Sequence, residues 1–299
     1  MRILLLGANG QLGQELSHTL PSLGEVKVCG RSEVDLTNKH SIIEAVDAFK
    51  PEVIVNAAAY TAVDKAERER GLAFKVNAEA VGILASEAAK LDIWLIHYST
   101  DYVFDGSKTE PYLEADTPNP INVYGESKLA GEQAIITSGC KHLIFRTTWV
   151  IGKDGHNFAK TILQLASERD TLSIINDQFG VPAAPALIAK VTNAAIEAIA
   201  TARHWPSGIY HLAPHGKTTW YGIAQTLIQQ AKEACLPLAT NERDLQAITT
   251  ADYPTSAKRP ANSLLDTSKL EKQLKFNLPD WEDDFSLVVE GIIRELKAA

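Results

Sequence analysis

No run of lysines and arginines marks this 299-residue chain, and its formal charge is -8. The basic stripe that a phosphate backbone requires is therefore missing, and nucleic acid is not an expected partner. Long apolar runs are missing too. The first, Ile3 to Leu6, stops at Gly7, too short for a signal-peptide core or a membrane span, and no later run is long enough either. No membrane partner is expected. Cysteine is scarce: Cys29, Cys140 and Cys235 are odd in number and widely scattered, which argues against a zinc site or a disulfide framework. The expected compartment is the reducing cytoplasm, with the thiols acting as small apolar fillers. No internal repeat or low-complexity linker interrupts the chain. Its 45% hydrophobic and 22% charged residues are ordinary globular values.

This length predicts two units, with one large α/β unit as the alternative. In the first half, RILLLG at 2–7, VKVC at 26–29, VIVN at 53–56, WLIHYS at 94–99 and HLIFRT at 142–147 read as buried strands. Between them Gln11–Leu20, Ser41–Phe49, Leu72–Lys90 and Tyr124–Thr137 carry apolar residues at helical spacing. Strands apolar on both faces and separated by helices predict an α/β fold, a Rossmann-type doubly wound parallel sheet with its ligand beyond the carboxyl ends of the strands. After about residue 150 the rhythm loosens and Pro182, Pro185, Pro206, Pro237, Pro254 and Pro260 punctuate it. Amphipathic helices are expected around Leu187–Ala200, Trp220–Ala231 and Phe285–Leu296. The expected division is a dinucleotide-binding domain over 1–150, completed by later segments, and a smaller mixed α/β substrate domain over 151–299.

The first strand runs into Gly7-Ala8-Asn9-Gly10-Gln11-Leu12-Gly13 and then a helix. Glycines there allow a sharp turn and close approach to a pyrophosphate, which the helix N-terminus favours. A structural turn is the alternative. The second strand ends in Cys29-Gly30-Arg31-Ser32, without the carboxylate expected of a strict NAD enzyme. Arg31 can accommodate a 2′-phosphate, or it is simply a solvated arginine. Asp35 and Leu36 are placed to pass beneath the adenine, and Ala57 and Ala58 supply small side chains where a cofactor approaches backbone or where helix meets sheet.

Tyr124 and Lys128 lie four residues apart on a predicted helix, hence on one face. An ammonium beside a phenol stabilises phenolate and is expected to pull the tyrosine pKa down from about 10. Upstream, the fourth strand ends in Ser99-Thr100-Asp101-Tyr102, which offers hydroxyls at the carboxyl edge.

With these residues in view the chain resembles the extended short-chain dehydrogenase/reductase superfamily, and within it the dTDP-4-dehydrorhamnose reductases. The blocks that carry the resemblance are VNAAAYTAVDKAE at 55–67, HYSTDYVFDG at 97–106, NVYGESKLAGE at 122–132, FRTTWVIG at 145–152, NDQFGVP at 176–182 and KRPANSLLDTSKL at 258–270. The resemblance implies Tyr124 as proton donor, Lys128 as its activator and ribose ligand, and Thr100 as the hydroxyl that orients the sugar carbonyl. It places the cofactor, NADPH or NADH, against Gly7, Asn9, Gly10, Gln11, Leu12, Gly13, Ala57, Ala58 and Tyr60. Asp101, Tyr102 and Trp149 would border the sugar, and Asn157, Gln178 and Arg259 the nucleotide. The implied substrate is dTDP-4-dehydro-β-L-rhamnose, reduced at C4. No carboxylate stands around Pro185–Ile188, so no metal is expected, and the resemblance leaves a homodimer open. Two other readings compete: a reductase for another dTDP-4-keto-6-deoxysugar, and a non-catalytic NADP-binding regulatory subunit. The intact Thr100, Tyr124 and Lys128 argue against the second.

Overall fold

A computed structural model describes residues 1–201, 205–275 and 277–298. Six parallel strands form the main sheet: β1 (Arg2–Leu6), β2 (Glu25–Cys29), β3 (Val53–Asn56), β4 (Trp94–Thr100), β5 (Lys141–Thr147) and β8 (Gly208–Leu212), in the order β2-β1-β3-β4-β5-β8. Short strands β6 (Leu172–Ile175) and β10 (Leu245–Ile248) pair in parallel, and β7 (Phe179–Gly180) and β9 (Thr218–Thr219) pair antiparallel. The helices are α1 (Gln11–Thr19), α2 (Lys39–Phe49), α3 (Val63–Ala66), α4 (Arg70–Phe74), α5 (Ala80–Leu91), α6 (Val123–Ser138), α7 (Phe158–Glu168), α8 (Pro185–Ala200), α9 (Trp220–Glu233), α10 (Ser268–Leu274) and α11 (Trp281–Ala298). A π-helical turn, Lys75–Glu79, joins α4 to α5.

The two-residue period of a strand explains the layers. Ile3 and Leu5 of β1 face a core that holds Leu16 of α1 and Leu187, Ile188 and Val191 of α8. Leu4 and Leu6 point the other way, to Ile42 and Val46 of α2 and Val81 and Leu84 of α5. Both faces are thus covered, as the doubly wound pattern predicted. The second strand departs from expectation, because β2 lies at the edge of the sheet and Val28 is 41% exposed. A third core, separate from the sheet, is built from α7, α9 and α11 around residues such as Ile162, Leu227, Phe285 and Val289. Among the described residues no helix is long and apolar enough to cross a membrane.

The chain order turns back at β1, which has β2 on one side and β3 on the other. At such a reversal the loops leaving adjacent strands diverge and open a crevice at their carboxyl ends.

Candidate active site

That crevice is a cleft of about 760 Å³. Gly7, Asn9, Gly10, Gln11 and Leu12 line it, as do Arg31, Asp35, Leu36, Ala57, Ala58, Tyr60, Tyr124 and Lys128. Gly13 lies beneath the turn, where an added Cβ would collide with the Gly7 carbonyl oxygen. Gly7 itself has φ +86° and sits against the Ala57–Ala58 backbone, so no side chain fits there. No side chain caps α1 at Gly10, which leaves its first N–H groups free for an anion. Ser99 Oγ and Thr147 Oγ1 line the same cleft and are buried without a hydrogen-bond partner. A polar ligand that approaches backbone at the glycine turn and offers hydroxyls deeper in fits these residues, and a dinucleotide has that form.

The end of β2 corrects one expectation. A carboxylate does reach it: Glu33 folds back, so that Gly30 N–H donates to Oε2 at 2.8 Å and Ser32 Oγ donates to Oε1 at 2.6 Å. These bonds hold the Glu33 carboxyl below its usual range, that of Ser32 contributing most. An acid at this place can accept from a ribose 2′-hydroxyl, while Arg31 beside it can pair with a 2′-phosphate. Replacing Arg31 by alanine is expected to weaken NADPH selectively, by about tenfold or more, since a charge-assisted hydrogen bond contributes about 1.5–3 kcal/mol. Titration of both cofactors by fluorescence quenching checks it, and an equal loss for NADH would rule the assignment out.

Tyr124 and Lys128 open α6, whose N-cap Asn122 accepts from Gly125 N–H at 2.8 Å. Gly125 is needed for proximity, because a Cβ would run into the Tyr102 carbonyl oxygen. The helix can therefore press against the 3₁₀ turn Asp101–Val103 that follows β4. The rings of Tyr102 and Tyr124 meet edge to face, 5.9 Å apart. Thr100 Oγ1 donates to Asp101 Oδ1 at 2.8 Å and accepts from Tyr102 N–H at 3.1 Å.

The electrostatics differ from the sequence-based expectation. Burial pushes the Tyr124 phenol well above its usual range, Asp101 adds to this, and a hydrogen bond with Thr100 opposes it. The ammonium does not dominate. Lys128 Nζ instead donates to Tyr98 O at 2.6 Å and lies 3.4 Å from His97 Nε2. Burial brings the Lys128 pKa down to about 8, against the opposing charge of Glu132. Burial likewise raises Asp101 to about 6.

Several residues around this pair escaped the sequence reading. Asn56 Oδ1 accepts from Ala58 N–H at 3.2 Å, which turns its amide nitrogen toward His97 Nδ1 at 3.1 Å. His97 is thereby held between Asn56 and Lys128. Glu132, one helical turn beyond Lys128, binds Arg146 of β5 through both oxygens, at 2.9 and 2.6 Å. Its i+4 spacing from Lys128 was the available signal.

The remaining candidates divide. Trp149 stacks on Trp220 with ring centres 3.9 Å apart. Gln178 holds that second indole, accepting from Trp220 Nε1 at 3.2 Å and donating to Thr250 Oγ1 at 3.1 Å. Asn157 is tied elsewhere: its amide donates to Gln11 Oε1 at 3.0 Å and Gly152 O at 2.7 Å, and its Oδ1 caps α7 at Lys160 N. Arg259 pairs with Asp64 at 2.6 Å. Among the described residues, no group of three or more His, Cys, Asp or Glu is placed to hold a metal ion.

The family model described as the RmlD substrate binding domain matches residues 1–293. The dTDP-4-dehydrorhamnose reductase of Escherichia coli (strain K12) is 47% identical over 290 residues, covering 94% of this chain and 95% of that one. This chain belongs to the dTDP-4-dehydrorhamnose reductase family. Two solved members share its fold across their length. The enzyme from Clostridium acetobutylicum aligns with a TM-score of 0.88 at 32% identity, covering 97% of this chain and 99% of that chain. The Bacillus anthracis enzyme, in complex with NADP, aligns with a TM-score of 0.86 at 33% identity, covering 100% and 99%. Family membership and the cleft agree on the class of chemistry.

Proposed function

We propose that this chain reduces the C4 ketone of dTDP-4-dehydro-β-L-rhamnose to the alcohol of dTDP-β-L-rhamnose, the last step in making that activated sugar. NADPH or NADH, held along the glycine turn, supplies the hydride. The observation that carries the reading is the half-buried Tyr124 phenol, kept protonated by its surroundings and lining the cleft together with Lys128. Hydride addition at C4 turns the carbonyl oxygen into an alkoxide, and the Tyr124 Oη proton passes to it. Thr100, hydrogen-bonded to the phenol, orients both oxygens. Lys128 faces the cleft as a buried cation, where it holds the nicotinamide ribose and stabilises the phenolate left behind. The phenol supplies the proton, so the step needs no metal to polarise the ketone.

The second half of the chain serves as the substrate domain in this reading. Its separate core on α7, α9 and α11 carries Trp220 beneath Trp149, an aromatic wall suited to a sugar or base. Its loop at 258–262 brings Arg259 near Tyr102. Binding energy from the nucleotide can then be spent on placing the ketone.

The test is product analysis after incubation with NADPH and the 4-keto sugar nucleotide. Formation of dTDP-rhamnose with matching loss of NADPH is the expected result. A C4-epimeric product would point to another deoxysugar reductase, and cofactor binding without turnover to a regulatory subunit.

A further inference from the structure

Asp64 ties together two segments 195 residues apart. It lies in α3, on the rim of the cofactor cleft near Lys65. Asp64 Oδ1 accepts from Ala257 N–H at 3.0 Å and from Arg259 Nη1 at 3.3 Å, while Oδ2 accepts from Arg259 Nη2 at 2.6 Å. Arg259 Nη1 also donates to Ala257 O at 3.1 Å. One carboxylate thus sets both the course of the loop and the attitude of the guanidinium.

A guanidinium has five N–H donors in a rigid plane. Three are used here: both on Nη1 and one on Nη2. The two left over, Nε–H and the second Nη2–H, share the side edge of the plane. That edge is the one Arg146 uses to grip Glu132 through Nε and Nη2. With Tyr102 also accepting from the guanidinium, one N–H of that edge remains for another anion, and the side chain is 20% exposed, enough for one to reach it. Tyr102 hydrogen-bonds the same guanidinium, and the Tyr102 ring packs on Tyr124. That edge accordingly lies on the side of the proton donor.

We propose that Asp64 is a positioning residue that holds Arg259 with its side edge presented to the diphosphate of a nucleotide sugar. This rests on the proposed function. Asp64 does not touch the diphosphate. It fixes the end-on edge of Arg259, so that the side edge is already aimed when substrate arrives and less side-chain entropy is lost on binding. Without it, the guanidinium would have to be ordered by the substrate itself.

The test uses the full chain with NADPH and the dTDP-4-keto sugar, comparing Asp64→Asn, Asp64→Glu, Arg259→Ala and the double variant Asp64→Asn/Arg259→Ala. Asp64→Asn is expected to raise KM for the sugar nucleotide by about tenfold, with kcat within about threefold and the Kd for NADPH unchanged. Asp64→Glu, which restores a carboxylate, should recover part of the loss. In the Arg259→Ala background Asp64→Asn should add nothing further, since its effect passes through that side chain. If Arg259→Ala raises KM and Asp64→Asn leaves it unchanged or lowers it, the positioning role is overturned and the diphosphate contact stands. If Arg259→Ala itself leaves KM unchanged, the diphosphate contact fails and Asp64 has nothing to position. An undiminished Asp64→Asn effect in the double variant also overturns the proposal.

Discussion

Replacing Tyr124 by phenylalanine is expected to lower turnover by about 10²–10⁴-fold, the contribution of a positioned general acid. The ring and its edge-to-face packing on Tyr102 would remain, so folding and cofactor affinity should hardly change. Burial holds the phenol protonated well above its ordinary range, so the acid form is present throughout the working range of pH. The pH dependence should instead follow Lys128, whose pKa is brought down to about 8. Below that value the ammonium is present and stabilises the phenolate. Above it the charge is lost, and reduction should slow as pH rises through 8. Steady-state rates with NADPH over a pH series, with the cofactor Kd measured separately, check both parts. Near-normal turnover in Tyr124→Phe would remove this residue as the proton donor.

The largest effect on stability is expected from Arg146. Its side chain is 2% exposed and that of Glu132 1%, with the two charges 2.6 Å apart. The Arg146 guanidinium also lies over the Phe104 ring, 5.1 Å from its centre. Arg146→Leu leaves Glu132 buried without a partner, which costs about 3–5 kcal/mol. In a protein of this size that corresponds to a Tm lower by roughly 10 °C. Removing both charges together, as Arg146→Leu/Glu132→Leu, should recover much of the loss, because the desolvation cost of the pair disappears with it. Thermal and urea denaturation of the single and double variants would decide this. A single variant as stable as the parent would mean that Glu132 finds another partner. Because the Glu132 charge favours the ammonium of Lys128, the double variant should also lose its catalytic charge at a lower pH.

The sheet and its glycine turn were legible from local pattern. Strands such as VIVN at 53–56 are apolar on both faces, a pattern that survives any detail of packing, and the observed β3 has the same bounds. The glycines at 7 and 13 are readable for a similar reason, since each marks a place where backbone must pass too close for a side chain. The spacing of Tyr124 and Lys128 put them on one helix face whatever surrounds them.

What the sequence by itself determined, then, was the set of properties carried within a few residues: the doubly wound order of elements, the glycine turn after the first strand, and the Tyr124–Lys128 face. Tertiary structure alone decided how those groups are charged and who holds them. The fall in the Lys128 pKa and the rise in that of Tyr124 come from burial, a property of the whole fold that no spacing encodes. The partners came from far along the chain: Arg146 from β5 for Glu132, Trp220 for Trp149, and Asp64 for Arg259. Even Glu33, three residues past Gly30, turned back to the strand end only because the chain there makes a tight turn onto the Gly30 amide. Short-range pattern sets which elements form, because it acts through backbone geometry and apolar period. Long-range packing sets electrostatics, because water exclusion and charge pairing depend on which surfaces meet.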